Sequence, residues 1–318
     1  MITVYRTGPD GKVAAAETAI EALADPAPVW VDLFNPGPDE ERAVEAAFGI
    51  DAPTQLERAA LEESARFYEE NGVLFLTATL LGRRAEGAFV SGPVTFIVMR
   101  ETLITVRSVQ PRAFEIGRSR ASARIEAAMR GPQAFLALLE GVVERLADIL
   151  QDSTREATSI SARVFGGDHF VQLPAELRAI GRLGALLVTA HDSLASLQRL
   201  TAFTTHVCAR YDLPPERMVA LQRDIEQLER VCEAQQEQLT FLLDATLGLV
   251  SAAQNNALKA ISIATILFVP PTLVASIFGM NFDAMDWFKA PWGPWAAFAL
   301  MAGTSLGVFA LARLRKWF

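Results

Sequence analysis

Cysteine and histidine are scarce in this chain. Cys208 and Cys232 are the only cysteines in 318 residues. Two cysteines give no disulfide framework, which suits a reducing compartment. Histidine occurs only at 169, 191 and 206, and no Cys/His spacing fits a metal centre. His206 and Cys208, two apart in a helical pattern, face different ways. Positive charge is in deficit, with 29 basic against 37 acidic residues and a net charge of −8. Nucleic-acid binding needs a basic face, so nucleic acid is excluded as a partner. A phosphate-cradling glycine loop and a nucleophile elbow are both missing, and no carboxylates pair in a pocket-like setting. Glu62-Glu63 and Glu69-Glu70 read as solvated surface pairs. These absences disfavour an enzyme, a bound cofactor and an ATP-driven pump. The N-terminal MITVYRTGPDGK has no apolar core, so no signal peptide is expected.

What the chain has is concentrated at its C-terminal end. Two uncharged apolar runs, Ala260–Phe278 and Trp292–Ala312, each hold about 20 residues, enough to span roughly 30 Å of hydrocarbon as a helix. Lys259 precedes the first; Arg313, Arg315 and Lys316 follow the second. The loop between them carries only Lys289 against Asp283 and Asp286. This asymmetry predicts an integral plasma (inner) membrane protein with two spans and both termini in the cytoplasm. Trp287, Trp292 and Trp295 fall at one expected interface and Trp317 at the other.

The fold class expected is α+β with membrane helices: an α/β cytoplasmic domain, a long helical stalk and a two-helix transmembrane hairpin. Residues 1–130 carry the strand-like runs 2–7, 28–34, 65–70, 72–81, 93–100 and 102–109. Asn71-Gly72 signals a hairpin turn and Arg100-Glu101-Thr102 a second. Helical patterns cover Pro38–Phe48, Pro53–Glu63 and Arg112–Met129. Residues 131–212 read as an antiparallel helical hairpin. From 213 to 259 a stalk helix, with no glycine or proline from Glu216 until Gly248 and none again until Pro270, runs into the first span (260–280). The external loop is 281–291, the second span 292–312 and the basic tail 313–318. A helix this long usually packs against copies of itself, so an oligomer is expected.

Two spans cannot enclose a pore alone; copies of the first span around an axis could. Its face then alternates polar and apolar positions: Asn255, Leu258, Ile261, Thr265, Val269 and Thr272. Apolar rings can gate by dewetting. No carboxylate lies in either span, which favours recognition of a hydrated cation over direct coordination. Mg²⁺ releases its waters reluctantly, and an Asn281 amide or an exposed carbonyl can accept hydrogen bonds from them. Gly279 permits the turn where the helix ends. Asp283 and Asp286 would raise the cation concentration at the mouth.

The block NNALKAISIATILFVPPTLVASIFGMNF (255–282), the second span with RLRKWF (313–318), and the upstream VWVDLFNPGPDEER (29–42) and EESARFYEENGVLFL (62–76) together resemble the CorA family of divalent-cation channels. The resemblance implies a homopentamer in the lipid bilayer and passive Mg²⁺ uptake, with Co²⁺ and Ni²⁺ as further ions. It implies that Gly279, Met280 and Asn281 form the selectivity entrance, with Leu258 and Ile261 near the cytoplasmic constriction. Two departures stand out. Met285-Asp286-Trp287-Phe288 replaces the Met-Pro-Glu-Leu loop of many members. Where some members bind regulatory Mg²⁺ between cytoplasmic domains, this chain offers Glu86, flanked by Arg83 and Arg84, and Asp224 on the stalk. Inhibition by cytoplasmic Mg²⁺ is therefore expected to be weaker or sited differently. The alternatives are a ZntB-like zinc transporter, which the few His and Cys residues disfavour, and a membrane-anchored sensor or scaffold, which would need no polar rings.

Overall fold

Short runs rich in Val, Ile, Leu, Thr and Phe become strands. These are β1 (Ile2–Thr7), β2 (Val13–Glu17), β3 (Trp30–Phe34), β4 (Phe67–Glu70), β5 (Val73–Arg83), β6 (Phe89–Val98) and β7 (Leu103–Arg107). This computed structural model describes residues 1–7, 13–17, 28–53, 58, 66–83, 89–110, 114, 130–166, 173–280 and 291–315. The chain divides into two units, Met1–Gly167 with Pro174–Leu243, and Asp168–Leu173 with Asp244–Phe318.

In the first unit the strands form one sheet in the order β2-β1-β3-β7-β6-β5-β4. All neighbours are antiparallel except β3 and β7. Asn71 and Gly72 adopt φ of 51° and 76°, the left-handed pair that a two-residue hairpin between β4 and β5 needs. β2 (VAAAE) is a finding the sequence pattern did not foretell: its run of alanines has neither alternation nor β-branched bulk.

Side chains alternate across β3. Val31 and Leu33 join Val4, Phe75, Ile97, Ile104 and Val106 in a core closed by Val44 of α1 (Pro38–Phe48). Trp30 and Asp32 take the other face. There Trp30 stacks on Tyr5 at 4.1 Å and meets Phe114 at 6.0 Å. Asp32 receives a fork from Arg107 (Nε to Oδ1 2.9 Å, Nη2 to Oδ2 2.8 Å) and the Thr105 hydroxyl at 2.8 Å. Trp30 Nε1 donates to that hydroxyl at 2.9 Å, so the buried charges are fully hydrogen-bonded.

Helices α2 (Gly131–Phe165) and α3 (Leu173–Val207) and the first part of α4 (Pro215–Phe278), up to Leu243, complete this unit, with a 3₁₀ turn at Cys208–Arg210. Gly131 begins α2 where a Cβ would lie 2.3 Å from the Met99 carbonyl, so only glycine allows this close start. Phe135 of α2 meets Phe96 edge-on at 5.5 Å. Helix α3 guards the sheet edge. Where β4 ends, the N–H groups of Thr79 and Leu81 donate to Ser196 Oγ at 2.8 Å and Ser193 Oγ at 3.0 Å, which blocks pairing by another strand. Helices α2 and α4 run parallel: Arg217 forks Glu140, Gln235 bonds Ser153 and Thr154, and Phe241 stacks on Phe165.

Near the end of α2, Arg163 forks Glu176 of α3 at 2.7 and 2.9 Å. That hydrogen-bonded guanidinium holds the Glu176 carboxyl below its ordinary 4.5. A depressed carboxyl stabilises the fold above its unfolded-state value, and this contribution disappears as pH falls through the folded one. Glu176→Gln is therefore expected to flatten the loss of unfolding temperature below about pH 4.5, read by circular dichroism across an acid series.

The second unit contains the last part of α4 and α5 (Gly293–Leu314), which among the described residues are the two helices long and apolar enough to cross a membrane. Helix α4 is assigned as one element from Pro215 to Phe278, with Pro270 and Pro271 inside it. Of the helix expected over Pro53–Glu63 only Pro53 and Arg58 are described, and of Arg112–Met129 only Phe114.

Candidate functional site

Along the apolar stretch of α4, from Ala260 to Phe278, the buried and half-buried positions are Ile266, Pro270, Pro271, Val274 and Phe278. On α5 the buried positions are small: Gly293, Ala297, Ser305 and Ala312. Small residues let two helix backbones approach where lipid supplies no hydrophobic drive between them. Ser305 Oγ, on that seam, donates to the Leu267 carbonyl at 3.3 Å.

At ~100° per residue, Asn255, Leu258, Ile261, Thr265, Val269 and Thr272 occupy one sector about 120° wide. Leu267 and Val274 lie on the opposite side of the helix. The sector therefore faces away from α5. Leu258, Ile261 and Val269 are 54, 62 and 57% exposed, so they await lipid or another copy of the chain. Asn255, Leu258, Ile261 and Thr265, with Lys259, Ser262 and Ile266, line one concavity of about 680 Å³; Val269 and Thr272 lie beyond it.

The two threonines are specific in what they offer. Thr265 donates its hydroxyl to the Ile261 carbonyl at 2.9 Å and Thr272 donates to Phe268 at 2.6 Å. Each spends its single proton on its own helix. What remains toward the open sector is oxygen lone pairs, the acceptors that waters around a cation would meet.

At the far end, Gly279 still donates to Ala275 at 2.9 Å, and Met280 donates to Ile277 at 3.3 Å in a tighter turn. Gly279 does not use a left-handed φ. Its contribution is the missing Cβ, which would sit 3.2 Å from the Ala275 carbonyl. Met280 is half exposed. Asn281, Asp283 and Asp286 lie outside the described residues, as does Glu86.

Asp224 is exposed on α4 and lines a groove of about 790 Å³ with Glu140, Glu144 and Arg217. Among the described residues no three His, Cys, Asp or Glu side chains converge to hold a metal. Cys208 and Cys232 are both buried and unbridged. Burial, with Glu233 and Glu229 nearby, pushes the Cys232 thiol up to about 11, so it carries no thiolate for a soft metal at neutral pH. Sequence reading missed Ser305. Its only signal was a hydroxyl in the second apolar run opposite a double proline in the first.

The chain matches a family described as CorA-like Mg²⁺ transporter protein over residues 25–315. It is 28% identical to the magnesium transport protein CorA of Sodalis glossinidius and 27% identical to that of Escherichia coli K12. Each match covers 91% of this chain and 92% of the relative. Among solved structures it is similar to the complete CorA magnesium transporter of Methanocaldococcus jannaschii (TM-score 0.70, 19% identity, covering 98% of this chain and 97% of that one). It also resembles the full-length CmaX protein (0.66, 16%, covering 99 and 97%). The ZntB cytoplasmic domain of Vibrio parahaemolyticus matches less closely (0.52, 13%, covering 80 and 98%). These structural likenesses concern the fold.

Proposed function

The chain belongs to the family of CorA-like Mg²⁺ transporter proteins, and from that premise we propose that it is a homo-oligomeric channel for passive Mg²⁺ uptake across the inner membrane. The relatives' Mg²⁺ transport and their similarity along nine-tenths of the chain support the substrate. The observation that carries the reading is the exposed sector of α4: it faces away from α5 and alternates acceptor oxygens with bulky apolar side chains. Copies of α4, five by the family resemblance, bring these sectors to a common axis. Thr265 and Thr272 then offer acceptor rings, and Leu258, Ile261 and Val269 apolar ones. Small acceptors suit a cation that keeps its waters, because they bond the hydration shell without having to replace it. Asn281 with Gly279 and Met280 forms the outer entrance, and Asp283 and Asp286 concentrate cations before it.

Transport is downhill. An inside-negative potential favours a dication by about 4.6 kcal/mol per 100 mV, so no nucleotide is needed. Co²⁺ and Ni²⁺ pass as similarly hydrated ions. Zn²⁺ is the weaker substrate, since it prefers imidazole and thiolate and Cys232 is buried and protonated. Regulation through Glu86 and Asp224 is at most weak.

Dye-loaded vesicles containing the purified chain, offered Mg²⁺, Co²⁺, Ni²⁺ and Zn²⁺ in turn, test the ion order. Zn²⁺ entry faster than Mg²⁺ would reverse it. A second result concerns the gate. Leu258→Ser replaces an apolar ring by a wettable one and is expected to raise resting Mg²⁺ leak several-fold. An unchanged leak would remove Leu258 from the constriction.

A further inference from the structure

Pro270 and Pro271 lie inside α4. Proline has no N–H, so Pro271 strips the Leu267 carbonyl of its ordinary helical donor four residues on. In hydrocarbon no water replaces that donor, and an orphan carbonyl is costly. Ser305 of α5 supplies one, with its hydroxyl 3.3 Å from that oxygen. Two neighbouring hydroxyls make the contrast plain. Thr304 turns its hydroxyl back onto its own helix, to Leu300 and Met301 at 2.9 and 3.0 Å, the usual arrangement in an apolar helix. Ser305, 9% exposed on the seam, instead reaches across to α4.

We propose that Ser305 is a positioning residue for the conducting helix: by donating to the carbonyl that Pro271 leaves without a partner, it holds the proline interruption of α4 in one setting against α5. The interruption lies between Thr265 and Thr272, so the relative facing of these two acceptor positions depends on how it is held. A serine hydroxyl at this site reads the consequence of Pro271 specifically; it does not serve α4 packing in general. The inference rests on the transport reading for its effect on flux, but the Ser305–Pro271 coupling stands on hydrogen-bond chemistry alone.

The test is a double-mutant cycle on the full-length protein with Ser305→Ala, Pro271→Ala and both together. Mg²⁺ flux into vesicles and the unfolding temperature in detergent are measured for each. Ser305→Ala alone is expected to lower flux about fivefold, the factor that loss of one net hydrogen bond represents, and to lower the unfolding temperature. In the Pro271→Ala background residue 271 regains its N–H, so Ser305→Ala should then change neither quantity further. Equal effects of Ser305→Ala in both backgrounds, or no effect in either, would overturn the proposal. If the unmutated protein carries no Mg²⁺, the transport reading fails, while the unfolding temperatures still decide the coupling.

Discussion

Asn281→Ala is expected to reduce Mg²⁺ uptake at least a hundredfold while the oligomer stays assembled. The side chain follows directly on Met280, where α4 has ended. A carboxamide there offers an acceptor oxygen to the waters around Mg²⁺. Hydrogen bonds to charged groups contribute about 1.5–3 kcal/mol each. The loss of even two from a ring of identical subunits amounts to about 3–6 kcal/mol, or two to four orders of magnitude in occupancy of the entrance. Alanine leaves nothing in their place. Little structural damage is expected with this substitution, because α4 ends at Phe278 and the seam with α5 is built from earlier positions. Uptake by the variant, measured beside its native mass, separates lost recognition from lost assembly. Normal uptake by an intact oligomer would remove Asn281 from the entrance.

The largest stability effect is expected at Asp32 and Arg107. Their side chains are 2 and 6% exposed, and among the described residues the hydrogen bonds to the Asp32 carboxylate come from Arg107 and Thr105. Arg107 also donates to the Val109 carbonyl at 3.0 Å and lies over the rings of Phe34 and Phe114. Arg107→Met leaves a carboxylate buried and unpaired, which costs about 3–5 kcal/mol. Replacing both partners, as Asp32→Leu with Arg107→Met, removes the two desolvation costs together and should restore most of that loss. Denaturant unfolding of the single and double variants provides the check. Additive losses would show that the pair contributes more than the cancellation of its own burial.

Local features of the fold were open to reading because they are chemical. Asn71-Gly72 can take two positive φ angles, and the chain turns there. Pro38 with the acidic residues after it opens a helix that ends at Gly49, which has φ of 64°. The two apolar runs became the two candidate spans. Long-range features were closed to it. Asp32 and Arg107 are 75 residues apart, and only the parallel β3–β7 register brings their positions together. Ser193 and Ser196 read as ordinary helix residues until β5 lies beside them with unpaired N–H groups. In the candidate site, helical periodicity named the open sector of α4. That this sector faces away from α5 depends on which side of the helix the second span covers, and the Ser305–Leu267 bond reports it. Gly279 illustrates a subtler limit: a glycine at a helix end suggests a left-handed cap, whereas here its role is a close approach to the Ala275 carbonyl.

The central claim is that this chain assembles into a pore that passes Mg²⁺ without an energy source other than the membrane potential. The most direct measurement is Mg²⁺ entry into sealed vesicles that contain only the purified chain and a Mg²⁺-sensitive dye, with a K⁺ gradient setting the potential. Entry that needs no nucleotide and accelerates as the interior becomes more negative is the predicted result. A chain that stays monomeric in the bilayer, or vesicles that admit no Mg²⁺ at any potential, would contradict it.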